Sequence, residues 1–453
     1  MLFRSFTPEA AAATTGVEAT TVRRLARELA AAPSSVVYGR IGVSTHEFGT
    51  LCQWAITCIN LLTGHLDAPG GAMFPEPAID LVAHGLAGPG TQGRWRSRVR
   101  GAEEVGGEFP AVVMAEEITT PGEGRIRAML TIAGNPVLST PSGDRLAAAL
   151  DELDFMVAID IYLNETTRHA DVVLPTTSLL ERDQYDVVFH SFAVRNTARW
   201  TPAALEREDD QRHDWEISYE LVRRLSEKLG HPLSPEADAQ AAASPADLIA
   251  LLLEVGGRTT MADLQASPAG VDLGPLQPTL PTRLRTPEQR IDLCPEEIVA
   301  DLPRLEASLH TEPADDDALV LVGRRHQRDN NSWMHNTDRL TRGRPRHHLL
   351  MHPDDLAARG LADGGGVRVT SRVGSVETEV SADADMMPGV VSLPHGFGHG
   401  LPGTRMRHAA TVPGVSVNDL TDPDRLDPLS GNAALTALPV TVVGVEGAVG
   451  FPG

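Results

Sequence analysis

Residues 126–133 (IRAMLTIA), 154–160 (DFMVAID) and 171–175 (DVVLP) decide the fold. Each is a short apolar run without polar alternation, which predicts a strand buried on both sides. The first ends in the turn Gly134-Asn135-Pro136. Between the first two runs, Ser142–Leu150 has helical spacing, with Ser142 as its expected N-cap. A short polar helix over Glu165–Ala170 separates the second run from the third. Strands alternating with helices imply a doubly wound α/β domain, its parallel sheet covered on both faces. Ligands of such sheets sit beyond the carboxyl ends of the strands, where the loops GNP, DIYLNET and LPTT fall.

Working outward, 16–31 predicts a helix with Thr20 and Thr21 as N-cap candidates, and 35–39 a short strand. A loop over 40–49 leads into an apolar helix, Thr50–Leu62, stopped by Thr63-Gly64; the Gly- and Pro-rich stretch 64–110 reads as a surface excursion. An amphipathic helix is expected over 211–230, followed by an Ala-, Pro- and Asp-rich region, 231–316, with short helices. The run Asp315-Asp316-Asp317 reads as a linker end, so a boundary falls near 315. Beyond it the pattern changes. Runs 319–322, 367–370, 376–380 and 389–394 predict strands, and His352–Gly360 a short helix, together a small closed β-barrel. The expected domains are 1–45, the end of an incomplete α/β domain; 46–315, the α/β domain; and 316–453, the barrel.

Composition narrows the function. The chain has 453 residues, 42% hydrophobic and 22% charged, with no apolar run near the roughly 20 residues of a membrane helix. A net charge of -22 argues against a general nucleic-acid binder. Three cysteines exclude a disulfide scaffold, and the start MLFRSFTPEA lacks a secretory pattern, so a cytoplasmic location is expected. There is no GxSxG, HExxH or CxxC. Cys52 and Cys58 read as core thiols, and His347, His348 and His352 lack a fourth metal ligand at suitable spacing.

Electrostatics says more. Between Arg324 and His348 stand seven arginines and four histidines against only Asp329 and Asp338. Guanidinium forks hold phosphate oxygens bidentately, so this loop reads either as a solvated basic surface or as a clamp for a ligand with several phosphates. Asp160, ending a strand, suits the N1–H and N2–H2 edge of a guanine, or ribose hydroxyls; a helix cap is the plainer alternative. Glu165 and Thr166 stand in the same loop, and Glu181 reads equally as a cap or a ligand.

With these residues assembled, the chain resembles the molybdopterin oxidoreductases, the group of dimethyl sulfoxide reductase, formate dehydrogenases and nitrate reductases. The resemblance rests on Gly42–Gly49 (GVSTHEFG), Asn60–Gly64 (NLLTG), Ala68–Gly71 (APGG), Ala133–Pro136 (AGNP), Asp160–Thr166 (DIYLNET) and Ala170–Pro175 (ADVVLP). Gly323-Arg324 with its basic loop, His352–Asp355, Pro394–Gly396, Val417–Leu420 and Ser430-Gly431 extend it to the barrel. It implies α/β domains with a C-terminal double-psi β-barrel, and bis(molybdopterin guanine dinucleotide) with molybdenum or tungsten. By matching positions, it implies that Asn135, Asp160, Glu165 and Thr166 hold a dinucleotide. Arg324, His335 and Asn418 would reach the pterins or phosphates from the barrel, and Thr45 and His46 would approach the metal as catalytic residues; no metal ligand is assigned.

The sequence departs from the family in having no iron–sulfur cysteines and only one lysine, Lys228. The expectation is a C-terminal part of such an enzyme, inactive as this chain alone. The iron–sulfur cluster would then lie on an N-terminal half or partner subunit, and the strand at 35–39 would have an unpaired edge. Formate and nitrate are the expected kinds of substrate; the alternative is a non-catalytic pterin- or nucleotide-binding assembly partner.

Overall fold

The computed structural model describes residues 5–309 and 317–445. Met1–Arg4 of the N-terminal reading, and Asp315 and Asp316 of the linker reading, lie outside the described residues. We label the elements that position the site. α1 spans Ala19–Ala31 and α2 Gly49–Leu62. α3 (Met114–Thr119), β1 (Ala128–Ile132), α4 (Gly143–Leu150), β2 (Phe155–Ile159) and β3 (Val172–Leu174) follow.

β1, β2 and β3 pair in parallel in that order, with Ile132 opposite Ile159 and Ile159 opposite Leu174. Ile118 of α3, Leu146, Ala149 and Leu150 of α4, and Met156 of β2 form one core with Val137. The expectation of cover on both faces needs correcting. Leu130 (48%), Ile132 (52%), Phe155 (48%) and Val172 (39%) stay exposed, because strands laid down in sequential order by right-handed crossovers put their connections on one side.

Three local expectations change as well. α1 begins at Ala19 with Glu18 at the N-cap position, so Thr20 and Thr21 lie in its first turn. Ser142 precedes α4 but its side chain does not cap; its backbone is left-handed (φ 52°) because its N–H donates to the Asn418 carbonyl (3.0 Å). Residues 35–39 are extended without being a strand. The Asn60 amide takes the place of a neighbouring strand, donating to the Val37 carbonyl (2.8 Å) and accepting from the Val37 N–H (2.9 Å).

The C-terminal domain closes six strands into a barrel: β4 (Leu319–Arg324), β5 (Leu349–Met351), β6 (Gly366–Thr370), β7 (Ser375–Ala382), β8 (Val390–Pro394) and β9 (Leu438–Gly444). Their order around the barrel is β4-β8-β5-β7-β6-β9, with β4–β8 and β5–β7 parallel. The inward residues, Leu321, Leu349, Val367, Val380 and Leu393 among them, are essentially solvent-free. Alternating burial in β6 and β7 matches the period-two reading, since each strand has one face inside.

Barrel and sheet are joined by buried polar clasps. Asn418 donates to the Leu138 carbonyl (2.6 Å), and buried Asp427 accepts from the N–H of Thr50 (2.9 Å) in the first turn of α2. Beside Asn418, burial and then the charge of Asp144 push Asp419 up to about 6. The sign follows from proton binding. The folded state holds this proton more tightly than the unfolded chain, so stability falls as pH rises from about 4 to about 6. Asp419→Asn is therefore expected to flatten that decline and to be more stable at neutral pH by up to about 3 kcal/mol, at roughly 1.4 kcal/mol per pH unit. Urea midpoints at pH 4 and pH 7 check it; an unchanged slope contradicts it.

Candidate cofactor site between sheet and barrel

A cavity of about 370 Å³ opens beyond the carboxyl ends of β1, β2 and β3. Ala133–Asn135, Asp160–Tyr162 and Thr176–Leu179 supply its sheet side, one loop from each strand. Arg325, Asn331–Trp333, His395 and Gly396 supply the barrel side. The three loops read from sequence thus meet in one place, the position that a parallel sheet offers a ligand.

Asp160 ends β2 and faces this cavity. Its Oδ1 accepts from the Tyr162 N–H (2.8 Å) and its Oδ2 from the Asn164 amide (3.3 Å). A carboxylate has about four acceptor sites, so each oxygen keeps one for a ligand. Burial raises the pKa of Asp160 despite these bonds, so a ligand that donates hydrogen bonds would relieve an unfavourable charge. Opposite, burial, then Arg325 and His335, push His395 down to about 4, so it presents a neutral imidazole near neutral pH.

Asn135 stands at the rim with its amide fixed. Its Oδ1 accepts from Thr166 Oγ1 (2.7 Å), and its Nδ2 donates to Glu165 Oε2 (2.8 Å). Thr166 Oγ1 also accepts from the Val137 N–H (3.0 Å). Glu165 and Thr166 are fully buried behind the cavity wall and touch its contents only through Asn135. His399 completes the arrangement, with Nδ1 3.0 Å from Glu165 Oε1 and Nε2 2.9 Å from Nδ1 of His335. His335 therefore stands behind the wall rather than on it.

A second cavity, of about 270 Å³, lies within the basic loop, lined by Arg324, His326, Asp329, Arg346 and His348 among others. Its cations are partly committed. Arg324 donates to the carbonyls of Ser392, Arg346 and His348 (2.9 Å each), and Arg346 to Asp329 (2.7 Å). Arg325 binds the Asn331 side chain at the rim of the first cavity, and Arg342 pairs with Asp338. The loop is thus an internal network with two open ends.

Other residues singled out in the sequence lie elsewhere. Asn418 spends its amide on the Leu138 carbonyl and lines neither cavity. Thr45 and His46 also line neither. The Thr45 carbonyl accepts from the Leu435 N–H, and His46 Nδ1 from the Phe48 N–H, against the loop that carries Arg425 and Asp427. Glu181 caps its own loop at the Ser178 N–H (2.7 Å). No His, Cys, Asp and Glu group able to hold a metal is found among the described residues. His395, Trp333 and His399 were not singled out as site residues; the alternation His395-Gly-Phe-Gly-His399 after a strand was the available signal.

Comparison with known proteins bears on the family and the fold. The family described as "Molybdopterin oxidoreductase" matches residues 19–224, and the "Molydopterin dinucleotide binding domain" matches 319–439. Between them they span well over half of the chain. A probable oxidoreductase, YoaE, of Bacillus subtilis is 23% identical over 95% of this chain and 59% of its own length. Formate dehydrogenase H of Escherichia coli is 28% identical over 51% of this chain and 33% of its own. A nitrate reductase of Symbiobacterium thermophilum is 29% identical over 51% and 33%. The acetylene hydratase of Pelobacter acetylenicus has the same fold (TM-score 0.72, 16% identity), covering 97% of this chain and 64% of that one. The chain thus spans less than two thirds of the length of each of these relatives.

Proposed function

This chain belongs to the molybdopterin oxidoreductase family, and from that premise we propose that the cavity between sheet and barrel receives the guanine end of a bis(molybdopterin guanine dinucleotide) cofactor. The observation that carries the reading is Asp160, an underused half-buried carboxylate at the carboxyl end of the central strand. The donor set fits the group. Asp160 accepts from a guanine N1–H and N2–H2 edge, the free N–H of Asn135 and the neutral His395 offer hydrogen bonds, and Arg325 supplies a cation toward a diphosphate. A volume of about 370 Å³ lies at the low end of the roughly 300–1,000 Å³ of small-molecule sites and suits one half of a dinucleotide.

When bound, the cofactor supplies a molybdenum or tungsten atom that exchanges electrons with substrate. The work of this chain is to hold and orient it. Asp160 and Asn135 fix one end from the sheet, and Arg325 and the basic loop fix charged oxygens from the barrel. Glu165 and Thr166 keep the Asn135 amide from rotating.

We read the whole assembly as an oxidoreductase of the cytoplasm acting on a small substrate such as formate or nitrate, in line with the names of two relatives. An N-terminal half or a partner subunit supplies the iron–sulfur cluster; a relative in Geobacter sulfurreducens is itself named as a subunit alpha. Among the described residues no helix is long and apolar enough to cross a membrane. Purification from the native host, followed by metal analysis and acid hydrolysis, tests the proposal. Molybdenum or tungsten together with released GMP is expected. Metal-free chain with no guanine contradicts it, and turnover of formate or nitrate by the same preparation decides the substrate.

A further inference from the structure

Both carboxylates of the basic loop are taken. Asp338 pairs with Arg342, and Asp329 with Arg346 (2.7 Å). Arg324 spends its guanidinium on backbone carbonyls. Four arginines of the loop are left over, Arg325, Arg328, Arg339 and Arg344, and all four are exposed. Among the described residues none of them forms an ion pair. Exposed arginines elsewhere commonly do, as Arg23 with Glu9, Arg195 with Asp272 and Arg368 with Glu377.

Two more cations come from the chain after β8. In Arg405-Met406-Arg407 the methionine is buried and lines the first cavity, while both arginines are exposed. The Arg405 N–H donates to the Leu163 carbonyl (2.7 Å), between Tyr162 and Asn164 of the sheet wall. The His408 N–H donates to Asn336 Oδ1 (2.9 Å), and the His408 ring meets Thr341 Oγ1 (2.5 Å), which ties this segment to the basic loop. Arg405 and Arg407 also lack a carboxylate partner among the described residues. Six uncompensated arginines therefore stand on two segments that are bonded to each other and that both line the first cavity. A chain of net charge -22 repels an approaching polyanion as a whole. This patch reverses the field where the cavity opens, and charges of one sign around a cleft focus it.

We propose that the six arginines form an electrostatic funnel that collects a nucleoside diphosphate at the mouth of the first cavity. Roles divide by position. Arg325 lines the cavity and touches what enters, whereas Arg328, Arg339, Arg344, Arg405 and Arg407 line neither cavity and act at a distance. Charges outside the contact change the rate of association and its salt dependence rather than the rate of dissociation. The funnel rests on the reading that this cavity takes a guanine nucleotide.

Stopped-flow mixing of the full chain with GDP carrying a fluorescent group on its ribose gives both rates. Wild-type association is expected to slow about tenfold or more between about 0.01 M and about 1 M salt, as the Debye length shrinks from roughly 30 Å to roughly 3 Å. Arg339→Gln/Arg344→Gln/Arg405→Gln/Arg407→Gln should associate about tenfold more slowly than wild type at low salt, the low end of what steering supplies, and dissociate at the same rate. Arg27→Gln/Arg40→Gln/Arg199→Gln/Arg290→Gln removes as many charges from exposed positions elsewhere and should associate like wild type. A salt-independent wild-type rate overturns the funnel, whether or not any variant folds. Equal slowing by both variants, or a loss that comes from faster dissociation, overturns it as well, and each of these leaves the cavity reading standing. Wild type that binds no GDP overturns both.

Discussion

Glu165→Ala is expected to destabilise the protein by about 3–5 kcal/mol, since it leaves two buried donors unsatisfied at roughly 1–3 kcal/mol each and opens a cavity. Glu165 is wholly buried and serves two partners on different elements, the Asn135 amide and His399. Its removal leaves the Asn135 amide and the facing His399 ring nitrogen without their acceptor in a dry place. No water replaces it easily, since the side chains of both Glu165 and His399 have no exposed surface. Glu165→Gln keeps the volume but inserts two donors where only acceptors fit, so it should fall between wild type and alanine. Guanidinium denaturation of the three proteins is the measurement. A glutamine variant as stable as wild type would mean that the two carboxylate acceptors are not needed here, against this account of Glu165.

Gly396→Ala is the second large effect. Gly396 has φ +93°, and a Cβ there would stand 2.1 Å from the Asn331 carbonyl oxygen. The backbone conformation alone costs roughly 1–2 kcal/mol for an L side chain. Displacing Asn331 adds roughly 1–3 kcal/mol, as overpacking does. Because Asn331, Ser332 and Trp333 form the barrel wall of the first cavity, the displacement also moves the wall. Loss of guanine-nucleotide binding is expected to exceed the loss of stability. Gly389→Ala separates the two effects: its φ is +82°, but nothing lies within 4 Å of a Cβ there. It should lose stability alone. Equal loss of binding in both variants would remove the steric argument.

How much of this was legible depended on whether a property is local. The strands of sheet and barrel were, because unbroken apolar runs such as 154–160 and alternation such as 376–380 are read from a few neighbours. Asp160 was legible as the end of a core strand. Arg324 and Asn418 looked like free ligand-binding groups, yet their donors go largely to backbone carbonyls far away in sequence. No local pattern tells whether a polar side chain will be claimed by the fold. His399 escaped for the converse reason: its partner Glu165 is 234 positions away, in the other domain. The extended run at 35–39 has the composition of a strand, but strand identity needs a partner, and here the Asn60 side chain stands in for one.

That a guanine dinucleotide enters between the β1–β3 loops and the barrel is tested most directly by photolabelling with 8-azido-GDP followed by peptide mapping. Labels within 133–139, 160–164, 176–182 or 395–396, suppressed by excess GDP and by Asp160→Asn, are the predicted result. Labels confined to other surfaces, or unaffected by Asp160→Asn, would contradict it.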